Sequence, residues 1–155
     1  MQIHLITIGQ RLDPWVGQGF NEFNKRMPPE CRVNLVEIAP PKRTKNSDLK
    51  RIIEEECDRM IAAIPLRTRI FALDSRGKQY STEELSLLLK SWLSEGSDIS
   101  LLVGGPDGLS ERCRGMAESS ISLSRLTFPH PLVRVILAEQ LYRAWSILKG
   151  HPYHR

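Results

Sequence analysis

The chain has 155 residues, 41% of them hydrophobic and 26% charged, with a formal net charge of +4. Such a length and balance predict a single domain, residues 1–155, able to bury its own core without disulfide or metal staples. No apolar run approaches the roughly 20 residues of a membrane helix, and the mild positive charge suits an anionic partner such as nucleic acid without requiring one.

The opening MQIHLITIGQ lacks the basic start and small-residue cleavage site of a secretory signal, so a cytoplasmic protein is expected. Gln2 to Ile8 predicts a strand, closed by Gly9. Pro14 can open a helix at its first turn, and Trp15, Val16, Phe20 and Phe23 recur at helical spacing up to Met27. Pro28 and Pro29 stop it. Arg32 to Ala39 alternates as a second strand. Pro40 to Arg51 is a loop that turns helical near Asn46 or Ser47. Leu49, Ile52, Ile53, Cys57, Met60, Ile61 and Ile64 then mark an amphipathic helix.

Arg69 to Leu73 predicts a short strand, ended by Asp74, Ser75 and Gly77. Ser81 with Glu84 forms a capping box before Leu85, Leu88, Leu89, Trp92 and Leu93, and Gly96 ends that helix. Ile99 to Val103 is a strand, apolar but for Ser100. Ser110 caps a short helix through Met116 and Ala117. Ile121 to Leu126 is the last strand, and Pro131 starts a final helix reaching Leu148. Strands alternating with helices predict an α/β fold, a mostly parallel sheet flanked by helices. Ligands of such sheets bind beyond the carboxyl ends of the strands. That rule selects Leu73 to Ser75, Gly104 to Pro106, and Leu123 to Phe128.

Four stretches carry residues suited to chemistry. In LLVGGPDGLS a buried strand runs into glycines that let another group approach the backbone. It is neither GxGxxG nor a GxxxxGK[ST] phosphate loop, and it also reads as a plain strand-to-helix turn. In TFPHPLVRV, Pro129 and Pro131 fix the backbone around His130, while Arg134, Glu139 and Arg143 interrupt an otherwise apolar helix. Lys42, Arg43, Lys45, Lys50 and Arg51 form a basic cluster that is either solvated surface or a phosphate contact. The tail GHPYHR concentrates two histidines, a tyrosine and an arginine. HxxH without a carboxylate or cysteine partner is a weak metal signal, and Cys31, Cys57 and Cys113 show no metal or disulfide spacing. No metal is expected. No GxSxG marks a hydrolase serine.

Together GGPDGLS, LTFPHPLVRVILAEQLYRAWSILKGHPYHR, KRTKNSDLKR and the N-terminal ITIGQ followed by PW resemble the RlmH family of ribosomal large-subunit pseudouridine N3-methyltransferases, of the SPOUT class. The likeness spans the chain, and HPYHR is its most specific mark. The resemblance implies a sheet whose C-terminal portion is threaded as a trefoil knot, a cytoplasmic homodimer, and S-adenosyl-L-methionine as cofactor. It implies methylation of N3 of a pseudouridine in 23S rRNA within the assembled ribosome. By position the cofactor would meet Leu73, Gly104, Leu123, Ser124, Arg125, Leu126, Thr127 and Phe128, with backbone contacts expected over side chains at Arg125 and Phe128.

Methyl transfer from a sulfonium is an in-line displacement needing no metal; the protein must chiefly align nucleophile and methyl. N3 carries a proton that must leave, so a base or cationic groups would help. His130, Tyr153, His154 and Arg155 are the catalytic candidates, with the choice among them open. Three other readings remain: an RNA-binding or ribosome-associated factor without catalysis, a SPOUT enzyme with another RNA target, and a nucleotide-binding α/β enzyme, which the absent phosphate loop disfavours.

Overall fold

Five parallel strands form one sheet in the order β2-β1-β4-β3-β5 in the computed structural model, which describes residues 1–155. They are β1 (Ile3–Ile8), β2 (Val33–Ile38), β3 (Thr68–Gln79), β4 (Asp98–Val103) and β5 (Ser119–Ser122). The helices are α1 (Pro14–Asn24), α2 (Leu49–Ala63), α3 (Thr82–Glu95), α4 (Glu111–Met116) and α5 (His130–Leu148). Parallel neighbours need crossovers, and helices supply most of the connections.

Strand β1 lies between β2 and β4, with Ile3 beside both Val33 and Ile99. A strand covered on both faces reads as a largely apolar run, interrupted in β1 by His4 and Thr7. Ile3 and Leu5 face one core with Phe20 of α1, Leu89 and Trp92 of α3, and Leu137 and Leu141 of α5. Ile6 and Ile8 face the other, with Cys57 and Met60 of α2 and Leu109 and Cys113 next to or in α4. The molecule is thus three layers: α1, α3 and α5 on one face of the sheet, α2 and α4 on the other. All three cysteines are buried thiols. Burial and its neighbour Cys57 push the Cys113 thiol up to about 12. No helix is long and apolar enough to cross a membrane.

Helix α1 ends at Asn24, short of Met27, and three further boundaries differ from the sequence expectation for local chemical reasons. Strand β3 does not stop at Leu73 but continues to Gln79 through a bulge: Leu73 and Lys78 both pair with Ile121. Asp, Ser and Gly are poor strand residues, which is why Asp74 to Gly77 read as an end; a bulge absorbs them. Gly77 is required there, because a Cβ would stand 2.5 Å from the Ser120 backbone. Strand β5 ends at Ser122, not Leu126. Ser122 Oγ donates to the Ser124 carbonyl at 3.0 Å and Ser124 Oγ accepts from the Leu126 N–H at 2.9 Å, and these local bonds replace the ladder. Helix α2 is capped by Asp48, whose carboxylate accepts from the Lys50 N–H; Ser47 instead closes a turn with Thr44. The capping box of α3 forms as expected, and Gly96 ends it at φ 72°.

Candidate active site

A cleft of about 250 Å³ opens at the carboxyl ends of β4 and β5 and beside the bulge of β3. Its apolar walls include Leu73, Leu123, Leu126, Phe128 and Val133, and its polar rim carries Asp74, Ser75, Ser124, Thr127 and His130. The turn from Gly104 to Gly108 forms its floor. A cavity of about 320 Å³ adjoins it through the shared residues Leu73, Ile121, Leu123 and Phe128, reaching Trp92 and Leu137. Of the eight positions expected to meet the cofactor, seven line the cleft; Arg125 is exposed and does not.

The floor is shaped by glycine. A Cβ on Gly104 would stand 2.5 Å from the Gly108 carbonyl carbon, so the turn closes on itself at a separation no side chain permits. Gly108 sits at φ 80°, in the left-handed region that glycine enters without strain. Ser110 then caps α4 by accepting from the Cys113 N–H at 3.1 Å. Apolar walls, a bare backbone floor and hydroxyl groups at the rim suit a flat apolar ring system carrying polar substituents.

Charge surrounds the cleft in two clusters. At one side burial pushes the Asp74 carboxyl up, but hydrogen bonds from Arg76 and the nearby Arg114 outweigh it and hold the group below the usual carboxylate range. At the other, burial, then Arg134 and Arg43, push His130 below 6.5, so its imidazole is neutral at pH 7. Arg134 is buried on α5 and pairs with Glu37 of β2 at 2.8 Å. Arg43, from the basic cluster, is not a free phosphate ligand. It bonds Asp107 of the glycine turn at 2.6 Å and Glu56 of α2 at 3.3 Å. Burial drives the Glu56 carboxyl upward against the pull of Arg43. Lys42, Lys45, Lys50 and Arg51 are exposed.

The tail does not lie at this cleft within one chain. Residues Pro152–His154 form a single 3-10 turn against α5. Tyr153 donates to Glu139 Oε1 at 3.0 Å, its ring meets Tyr142 at 4.6 Å, and the Arg143 guanidinium covers it at 4.9 Å. Burial and the bond to Glu139 push the Tyr153 hydroxyl up. His154 Nδ1 lies 2.7 Å from the His151 carbonyl oxygen. Glu139 follows His130 by nine residues on α5, a rise of about 14 Å. His130 and the tail residues are therefore not brought together in one protomer.

Sequence reasoning missed Glu56. Its signal was a carboxylate among Ile52, Cys57 and Met60, on the buried face of an amphipathic helix, where a charge needs a partner.

An α/β sheet with a glycine-floored cleft at its strand ends is the architecture of nucleotide-type ligand binding, and comparison narrows the class. A family model described as "Predicted SPOUT methyltransferase" matches residues 1–154. Proteins named ribosomal RNA large subunit methyltransferase H are 57% identical over 155 residues in Methylococcus capsulatus, covering all of both chains, and 56% identical in Thioalkalivibrio sulfidiphilus, covering all of this chain and 99% of that one. Among solved structures, a protein described as a methylase family member from Haemophilus influenzae Rd KW20 matches with TM-score 0.59 at 8% identity, over 99% of this chain and 70% of that one. One from Legionella pneumophila, described as a methyltransferase in complex with bound cofactor SAM, gives TM-score 0.51 at 10% identity, over 94% and 66%. The chain belongs to the SPOUT methyltransferases and, within that class, to the family of ribosomal RNA large subunit methyltransferase H.

Proposed function

We propose that this protein methylates N3 of a pseudouridine in 23S rRNA within the assembled ribosome, using S-adenosyl-L-methionine and acting as a cytoplasmic homodimer with a knotted C-terminal portion. The observation that supports the reading is a strand-end cleft lined by seven of the eight positions expected to meet the cofactor, in a chain that the SPOUT methyltransferase model matches over residues 1–154. Leu73, Leu123, Leu126 and Phe128 would hold the adenine by apolar contact, and the Gly104–Gly108 backbone would leave room beside it. The bound cofactor supplies an electrophilic methyl group on a sulfonium.

What remains for the chain is alignment and removal of one proton. His130 is neutral at pH 7 and lines the cleft, so it can accept the N3 proton. Arg134 and Arg43 disfavour the imidazolium, and the same positive field favours an imide anion. Tyr153, His154 and Arg155 would reach the partner's cleft across the two-fold, since about 14 Å of α5 separates them from their own.

The test is mass analysis of 23S rRNA fragments from a deletion strain, with and without the gene restored. Loss and return of one methyl on a pseudouridine is expected. An unchanged methylation pattern would leave the reading as an RNA-binding factor.

A further inference from the structure

The Arg43–Glu56–Asp107 cluster joins three parts of the molecule that have no other reason to meet. Arg43 comes from the irregular basic segment after β2, Glu56 from the buried face of α2, and Asp107 from the glycine turn that floors the cleft. Glu56 is 2% exposed, and its Oε2 has no hydrogen-bond partner. A Cβ on Gly105 would stand 3.2 and 3.3 Å from the two carboxylate oxygens, so Glu56 lies directly beneath the turn. A buried ion pair adds little stability by itself, because apolar residues of the same size would serve as well or better. The placement under a ligand-binding turn gives it another purpose.

We infer that Arg43, seated on Glu56, is the positioning residue of the cofactor turn: one guanidinium carries two carboxylates, fixing Asp107 and with it the backbone from Gly104 to Gly108. The inference rests on the proposed use of S-adenosyl-L-methionine in this cleft. Both contacts run through one guanidinium nitrogen, Nη2, whose two N–H groups face the two carboxylates from a planar, rigid head that the flexible ammonium of lysine lacks. The bridge also ties the turn to the exposed cations Lys42 and Lys45 beside Arg43, so a phosphate held there would pull on the same guanidinium that shapes the cleft.

Calorimetry with S-adenosylhomocysteine tests it on the wild type, Arg43→Gln, Arg43→Lys, Glu56→Gln and the Arg43→Gln/Glu56→Gln double variant. Arg43→Gln is expected to weaken binding about tenfold, with Arg43→Lys between it and the wild type. The double variant should be no weaker than Arg43→Gln, because the two residues act as one unit. In steady-state transfer Arg43→Gln should raise KM for the methyl donor about tenfold, and this rise is the readout of the positioning role, since loss of the charge near His130 acts on kcat as well. Circular dichroism and melting establish that each variant is folded; the double variant removes the buried carboxylate together with its partner and so leaves no unpaired charge under the turn. Unchanged affinity in folded Arg43→Gln, losses that simply add in the double variant, or a fall in kcat with KM unchanged would each overturn the inference. A wild type that binds no S-adenosylhomocysteine would overturn the methyl-transfer reading and the positioning role together.

Discussion

Tyr153 and Glu139 are joined by a hydrogen bond of 3.0 Å that folds the chain's last turn back along α5. The tail is packed rather than frayed, and its hydroxyl is tied to a carboxylate that also takes Arg143. Use of Tyr153 on RNA therefore requires either release from Glu139 or action as part of that fixed group. Deleting His151 to Arg155 should spare folding and dimerisation but abolish methyl transfer. Mixed with Gly104→Ala subunits, the deleted protein should recover to about a quarter of wild-type activity, by the symmetry of a two-fold pair. Verified subunit exchange that restores nothing would place the working site within one chain.

Gly104→Ala should lose S-adenosylhomocysteine binding without filling the cleft at all. The added methyl meets the backbone of Gly108 rather than the ligand, so the turn must open. Such overpacking costs about 1–3 kcal/mol, which at the upper end is a hundredfold in affinity if expressed in the bound state. Wild-type affinity in a folded Gly104→Ala protein, read by calorimetry, would remove the turn from the site.

The pH dependence follows from His130. Its pKa is lowered, so the neutral base persists below 6.5, and kcat should fall only on the acid side of that value. The same shift acts on stability. The unfolded chain protonates His130 more readily than the folded one, so this contribution is intact above pH 6.5 and is lost as pH falls through the folded pKa. His130→Asn should flatten the acid limb of the rate profile. An acid limb unchanged in that variant would assign the proton to another group.

Ribosomes should be better substrates than free 23S rRNA, because a mildly basic domain neutralises few phosphates by itself. Charge reversal at Lys42 and Lys45, which are exposed, should slow transfer and flatten its dependence on salt, by about one counterion for each phosphate left without its lysine. Rates and salt slopes that do not move would exclude this segment from the RNA interface.

Two variants separate local from packed stabilisation. Ser81→Ala removes the oxygen that accepts from the Glu84 N–H and should cost about 1 kcal/mol in denaturant unfolding. Gly77→Ala drives a methyl into the Ser120 backbone, where β3 and β5 are paired, and should cost about 1–3 kcal/mol. Equal stability of the two variants would mean that the bulge yields more readily than its pairing implies.

The fold is legible in the sequence where periodicity has room to speak. The stretch Ile99 to Val103, apolar but for Ser100, and the capping box at Ser81 mark buried strand and helix start. Where local chemistry competes, the pattern misleads. Asp74 to Gly77 hide the continuation of β3 inside a bulge, and the serines at 122 and 124 end β5 four residues before its apolar pattern runs out. Three of the cleft's segments follow from the strand-end rule. The bridge from Arg43 to Glu56 and Asp107 does not, because it joins residues 13 and 64 positions apart through space, and no spacing along a chain encodes that.

The placement of β1 inside the sheet, between β2 and β4, bears on how the chain assembles. Ile3 must find Ile99, 96 residues later, before β1 is paired on both edges. During synthesis β1 can pair with β2 early, but its other edge stays open until β4 has been made. Parallel pairing at such separations is slow, since the loop must close before the pairing that rewards it. Refolding from denaturant should accordingly be much slower than for a helical bundle of this length, and the open edge of β1 is where a half-made chain is most exposed to the wrong neighbour.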